Sequence, residues 1–319
     1  MSLTVEENIK AQLEVRKNAH IMLVDGMSKL KTHKVKEVQS SVFNVSGLKW
    51  KLIVYPAGED GTKEYLSFYL KIKDKKSLGP NWEVKCSFKL TIVPQNGFNR
   101  CQSSEWLTES YNANQRIIGE DSFISYEELK KKYLVNDKVV FCADITDVRP
   151  NFPVTNTIPR TIGTAERITL TEVSKKDSRF TWKITQFSSF DVGDYHFSNE
   201  FKLGQRRWKL KMFPKGCGTG KGSYLSLFLT VGDFVTADPM AKTLAVYKLR
   251  LLDQFKRNHY ETNSCNKWFT TNPDIIRTGW GWHQFMRLNE LQNASRGFLV
   301  NDEMYLGVEF ILLSTTENL

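Results

Sequence analysis

The sequence predicts an all-β protein built as two tandem antiparallel β-sandwiches of seven to eight strands each, with one short helix per unit. Three observations carry this. Tyr224-Leu225-Ser226-Leu227-Phe228-Leu229 alternates strictly, which gives a strand with two distinct faces. The same pattern recurs as Tyr65-Leu66-Ser67-Phe68-Tyr69-Leu70. Other short alternating stretches are separated by Gly, Pro, Asn and Asp turns, as in a sandwich.

Repetition runs along the chain in a fixed order. Lys49-Trp50-Lys51-Leu52 returns as Arg207-Trp208-Lys209-Leu210, and Tyr55-Pro56-Ala57-Gly58 as Phe213-Pro214-Lys215-Gly216. Phe88-Lys89-Leu90 matches Tyr247-Lys248-Leu249, Trp106 matches Trp268 and Phe123 matches Phe285. Tyr133-Leu134-Val135-Asn136-Asp137 matches Phe298-Leu299-Val300-Asn301-Asp302. Order kept while spacing drifts is the mark of a duplicated domain with small loop insertions. The expected layout is an N-terminal extension (1–17), a first unit (18–148), a linker (149–177) and a second unit (178–315).

In the first unit strands are expected at 20–24, 42–43, 49–55, 65–73, 84–93 and 138–145. In the second they fall at 180–187, 196–202, 207–213, 224–231, 244–252 and 303–312. A helix precedes the last strand of each unit, at 126–132 and 288–293, with Gly297 as a stop for the second. Pro150, Pro153 and Pro159 make the first half of the linker extended and semi-rigid, and residues 168–173 are a candidate extra edge strand. Residues 1–17 are a candidate helix through the loosely spaced Ile9, Leu13 and Val15.

With 319 residues the chain is long enough for two full cores. At 40% hydrophobic and 25% charged it reads as soluble and globular, not disordered. No apolar run reaches the roughly 18 residues of a spanning helix. The start has neither a basic region nor an apolar stretch, so no secretory signal is expected. The five cysteines show no CxxC and the five histidines no HExxH. Reduced thiols in the cytoplasm or nucleus are expected, with no metal and no cofactor.

The net charge is +10, with clusters at 29–36, 71–76, 130–132 and 205–211. A nucleic-acid binder is one reading of it. The clusters are short, however. Arg207, Lys209 and Lys211 alternate with Trp208, Leu210 and Met212, so they read as the wet face of a strand, favouring acidic partners.

Catalysis finds no support. The loop 215–223 carries Gly216, Gly218, Gly220 and Gly222 around Lys221, but lacks the four-residue spacing and the following helix of a phosphate loop, and reads as a flexible hairpin. Neither a GxSxG nucleophile nor a kinase set is present. The informative feature is aromatic. Gly279-Trp280-Gly281-Trp282 sets two indoles on one side of an extended segment, with Gly281 allowing a close backbone approach. Tyr224 and Phe228 add to it from another strand. Two readings stand side by side, a binding wall and a secondary core covered by a loop.

These residues in combination resemble the MATH family of TRAF-like sandwiches, over nearly the whole chain as two copies. The second copy carries the match through Phe180-Thr181-Trp182-Lys183-Ile184, Phe187-Ser188, Tyr195-His196-Phe197-Ser198, Trp208-Lys209-Leu210, Phe213-Pro214-Lys215-Gly216, the 224–229 block, Trp280-Gly281 and Phe298-Leu299-Val300-Asn301-Asp302. The first holds from Lys49 onward. The arrangement is similar to plant MATH-domain proteins.

The resemblance implies a shallow groove that takes an extended peptide through strand-like hydrogen bonds. It places Phe228, Tyr247, Trp268, Trp280, Gly281 and Trp282 along that groove. Alternation by itself gives Tyr247 the core face of Leu249 and Leu251. The first copy sets Ile118, Gly119 and Glu120 where the second has Trp280, Gly281 and Trp282, and keeps Tyr69, Phe88 and Trp106 as a second candidate set.

The function so implied is a non-enzymatic adaptor that binds short linear motifs of partner proteins, among them ubiquitin-ligase or ubiquitin-protease components. This sequence shows no POZ domain, protease domain or coiled coil, so the effector is expected to be missing or supplied in trans. The alternative is the recognition part of, or a relative of, a ubiquitin-specific protease without its catalytic domain.

Overall fold

Tyr224–Val231 forms the strand its alternation predicts, with Leu225, Leu227 and Leu229 in the core and Ser226 and Phe228 on the reverse. In this computed structural model, residues 4–59, 64–73, 78–95, 101–154, 163–232, 242–270 and 279–319 are described. Pro159 and the end of the 71–76 basic cluster lie outside them. The chain divides into two units, one of Met1–Leu170 with Thr316–Leu319 and one of Thr171–Thr315.

Each unit is a sandwich of two sheets. In the second, one sheet joins Arg179–Ile184, Met304–Asn318, Lys242–Leu251 and Cys265–Thr270. The other joins His196–Phe197, Arg206–Phe213, Tyr224–Val231 and Trp280–Arg287, all antiparallel. The first unit repeats this with Ala19–Asp25, Lys138–Pro150, Glu83–Val93 and Leu107–Asn112 opposite Val38–Gln39, Leu48–Tyr55, Tyr65–Ile72 and Ile117–Ser125. One pair departs from the antiparallel expectation. Thr164–Glu172, the candidate extra strand, runs parallel to Ala19–Asp25.

The repeated motifs have structural causes. Trp50 and Trp208 are fully buried, and each indole N–H donates to a carbonyl five residues back, Val45 at 3.3 Å and Leu203 at 3.1 Å. A buried indole N–H needs such a partner. The Asn136-Asp137 and Asn301-Asp302 pairs both have positive φ, which Asn and Asp tolerate in tight turns. Asp137 accepts from the backbone N–H and hydroxyl of Ser28, and Asp302 from those of Ser188, every distance being 2.8 Å. These motifs therefore tie the start of each unit to its last turn.

The helix Tyr126–Lys132 forms as expected, capped by the Ser125 hydroxyl, which accepts from the Glu128 N–H. Its counterpart is shorter than expected. Leu288–Leu291 is followed by a separate 3-10 turn, Ala294–Arg296, stopped by Gly297 at φ +66°. Val5–Val15 is helical, held by a Thr4–Glu7 capping box. A further helix, Met27–Thr32, goes beyond one per unit; at six residues it is too short to show a period in the sequence.

Each unit carries the same irregularity. Leu225 pairs Met286 while Leu227 pairs Trp282, so His283, Gln284 and Phe285 all face Ser226. Leu66 pairs Ile124 while Phe68 pairs Glu120, so Asp121, Ser122 and Phe123 face Ser67. Such a bulge bends the strand and re-aims its side chains.

Candidate functional site

Register assembles the site. Gly281 pairs with Phe228, Phe228 with Lys211 and Lys211 with Phe197, so the four stand in one row across neighbouring strands. Around Phe228 lies a groove of about 420 Å³, lined also by Lys211, Phe213, Cys217, Gly279, Trp280, Gly281 and His283. The Phe228 ring meets Phe213 and His283 edge to face, with centroids 6.0 and 5.1 Å apart. The groove wall is thus apolar and aromatic, with single polar groups set into it.

The bulge brings His283 to the glycine-rich loop. Its Nδ1 lies 3.3 Å from the Cys217 thiol and 3.2 Å from the Cys217 carbonyl. A Cβ on Gly218 would stand 2.8 Å from that Nδ1, and one on Gly220 only 2.0 Å from the His283 carbonyl. The loop joins two paired antiparallel strands as the hairpin expected, and within it a 3-10 turn, Gly218–Gly220, folds against Trp280–Arg287, its glycines making the approach possible. Ser226 joins the two, donating to the His283 carbonyl at 2.5 Å and accepting from the Cys217 N–H at 3.0 Å.

Lys211 was expected on a wet strand face. It is half-buried, with its Nζ 4.6 Å from the ring centre of Tyr195, 4.9 Å from Phe213 and 5.5 Å from Phe197. Burial lowers its pKa. Lys209 and Arg207, on the same face, reach Glu200 at 3.1 and 3.4 Å.

The structure brings Phe228, Trp280 and Gly281 together at the groove and separates the rest. Tyr247 is a correction: with 0% exposure it packs on Phe269 and Phe310 in the core, as alternation indicated, and burial raises its pKa well above the usual range. Its hydroxyl donates to the Trp280 carbonyl at 2.8 Å, so it supports the edge strand from beneath. Trp282 is a second correction. It pairs with Leu227 and packs on the core cluster, so the two indoles do not form one groove wall. Trp268 lies next to the groove, its carbonyl accepting from the Trp280 indole N–H at 3.2 Å, while Lys267 Nζ sits 4.8 Å from the Trp280 ring centre.

Gly281 has a structural reason that applies equally in the first unit. A Cβ there would meet the Leu227 carbonyl oxygen at 2.1 Å and the Phe228 Cα at 2.6 Å. For Gly119 the matching distances are 2.2 Å to the Phe68 oxygen and 2.6 Å to the Tyr69 Cα. The glycine that both copies keep is required by the close approach of two strands.

In the first unit the second candidate set is dispersed. Phe88 is fully buried core, and Trp106 is 50% exposed. Tyr69 is buried, edge-on to Tyr55 at 5.6 Å, and its hydroxyl donates to Glu59 at 3.0 Å and Asp121 at 2.5 Å. Burial and then these carboxylates push the phenol pKa far up. The row equivalent to Gly281-Phe228-Lys211-Phe197 is Gly119-Tyr69-Ile53-Gln39. Where the second unit has Cys217 and His283, the first has Glu59 and Asp121.

Sequence reasoning missed Lys211, Phe213, Cys217 and His283. The signal for Lys211 was its place in register beside Phe228; His283 depends on a bulge that leaves no mark in the alternation. Among the described residues no group of three His, Cys, Asp or Glu side chains could hold a metal, and no helix is long and apolar enough to cross a membrane.

The pattern of the MATH domain matches residues 19–145 and 179–310. The chain belongs to the MATH-domain family. The chain is 36% identical over 137 residues to an Arabidopsis thaliana MATH domain and coiled-coil domain-containing protein, covering 43% of this chain and 40% of the relative. It is 31% identical over 141 residues to Protein RESTRICTED TEV MOVEMENT 3 of the same plant, 44% of each chain. It is 30% identical over 131 residues to Ubiquitin C-terminal hydrolase 12 of Arabidopsis thaliana, covering 41% of this chain and 11% of that one. The match spans less than half the length of each of these relatives. MATH domains are protein-interaction modules, and each matched stretch covers most of one sandwich of this chain.

Proposed function

We propose that the second unit binds a short extended peptide of a partner protein in the groove over Phe228, and that the chain is a non-enzymatic adaptor. The observation that carries this is the apolar floor of Phe228 and Phe213 lying beside Trp280–Arg287. Among the described residues that strand pairs on one side only, with Tyr224–Val231. An edge strand offers backbone donors and acceptors to an added strand, and the floor offers a place for an alternate side chain.

The similarity to Ubiquitin C-terminal hydrolase 12 supports a partner among ubiquitin-linked proteins. The five free cysteines fit a reducing compartment, the cytoplasm or nucleus. A shallow site of this size corresponds to affinity on the order of micromolar.

The test is binding of a degenerate peptide array to the full chain and to Phe228→Ala. Binding by the wild type and loss of at least about tenfold in the variant are expected. Equal binding by both would refute the groove.

A further inference from the structure

The second unit holds a thiol and an imidazole together at its groove. Cys217 comes from the glycine-rich loop and His283 from the bulged strand Trp280–Arg287, and both line the groove with Phe228. The His283 Nδ1 stands 3.3 Å from the Cys217 sulfur and 3.2 Å from the Cys217 carbonyl oxygen. A carbonyl oxygen only accepts, so contact with it assigns the proton to Nδ1, and the same N–H reaches the sulfur.

The fold builds this pair. The imidazole lies edge to face with Phe228, centroids 5.1 Å apart, and the Nδ1 side leaves no room for a Cβ on Gly218. Ser226 ties the two backbones, accepting from the Cys217 N–H and donating to the His283 carbonyl. In the first unit Ser67 makes the same two bonds, to the Glu59 N–H and the Asp121 carbonyl. The first unit therefore keeps the frame and puts carboxylates where the second has a thiol and an imidazole.

We propose that Cys217 is a thiol-exchange site that forms a mixed disulfide with a low-molecular-weight disulfide such as oxidised glutathione, and that the attached group closes the groove to peptide. The second half rests on the reading of that groove as a peptide site. In the exchange, the Cys217 thiolate attacks one sulfur of the disulfide. A bond forms from Cys217 Sγ and the old S–S bond breaks. Its electron pair leaves on the other sulfur, which takes up the proton that Cys217 released. Cys217 is oxidised and the departing thiol is reduced.

The thiolate is the reactive form, and an N–H aimed at the sulfur supports the charge as it forms. The unit's other cysteine, Cys265, is a poor partner for Cys217. It packs on the core cluster, where burial raises its pKa and keeps it a thiol. The second sulfur therefore comes from a small molecule that the groove admits. Cys217 shares that groove with Phe228 and Trp280, so a group bonded to its sulfur takes space that a peptide side chain needs. Reduction removes the group and opens the groove again.

The experiment treats the reduced full chain with oxidised glutathione near neutral pH and follows each cysteine by peptide mass spectrometry. Cys101, exposed in the first unit, is the reference thiol within the same molecule. Cys217 should take up the glutathionyl group at least about fivefold faster than Cys101. His283→Leu should bring the Cys217 rate down to that of Cys101 and leave Cys101 unchanged. His283→Asn, whose amide N–H can stand where Nδ1 stands, should restore most of the difference. Binding of the degenerate peptide array is then measured in the Cys101→Ser chain when reduced, when modified, and after dithiothreitol. It should fall at least about tenfold on modification and return on reduction.

A wild-type Cys217 no faster than Cys101, or a rate unchanged in His283→Leu, overturns the exchange site. A modified chain that binds the array as well as the reduced chain overturns the closure while the peptide site stands. A reduced chain that binds no array, or Phe228→Ala binding equal to wild type, overturns the peptide site and the closure with it. The mass measurement decides the exchange site in either case. A thermal melt of each variant shows that it is folded, and the comparison of Cys217 with Cys101 in the wild type needs no variant.

Discussion

The Tyr247 hydroxyl, buried in the core of the second unit, donates to the Trp280 carbonyl across 2.8 Å and so fixes the edge strand over which the groove lies. Tyr247→Phe keeps the ring on Phe269 and Phe310 and deletes this one bond. The expected outcome is a loss of about 1 kcal/mol in the urea transition of the second unit, followed by tryptophan fluorescence. An unchanged transition would show that the bond does not hold the strand.

Gly281→Ala tests the close approach of two strands. The added Cβ has no room against the Leu227 carbonyl and the Phe228 Cα, and the backbone must part. A destabilisation of about 1–3 kcal/mol is expected. Gly119→Ala should act alike in the first unit, where the facing residue is Tyr69. A loss in one unit alone would tie the glycine to binding instead of to strand geometry.

Thiol chemistry separates the cysteines. Burial pushes the Cys86 thiol up to about 12 and raises Cys142 and Cys265 as well. Cys101 is exposed, and Cys217 is half-buried at the groove. Brief alkylation near neutral pH, read by peptide mass spectrometry, should label Cys101 and Cys217 first. A bound peptide should protect Cys217 and leave Cys101 reactive. Protection of neither would place the peptide away from the loop.

Lys51 makes the first unit sensitive to pH. Its ammonium is buried, and burial, with Lys73 adding to it, lowers its pKa to about 8. The folded value lies below the unfolded 10.5, so the unfolded chain holds more protons between about pH 8 and 10.5. Stability of this unit rises across that window. Below about pH 8 the cost of the buried charge is present in full, of order 3 kcal/mol. Lys51→Met should stabilise the unit by roughly 1–3 kcal/mol at neutral pH and flatten the rise, as measured by urea denaturation at two pH values. A variant less stable than wild type at neutral pH would contradict it. Its counterpart Lys209 pairs instead with Glu200.

What the sequence by itself determined is local and periodic. Alternation at Tyr224–Val231 placed the leucines in the core, and repetition marked out two sandwiches in which Trp50 and Trp208, and Asp137 and Asp302, hold matching positions. A period of two records which face a residue takes within its own strand. Only the tertiary structure decided which strands lie side by side and where they slip. Trp280 and Trp282 share a parity, yet one lines the groove and the other packs on the core. The bulge that turns His283 to Cys217 exists only between two strands. Lys211 looked like solvent-facing charge until register set it beside Phe228, with Phe197 on its other side. Register is a non-local choice, made by the packing of whole sheets, and no spacing within one strand records it.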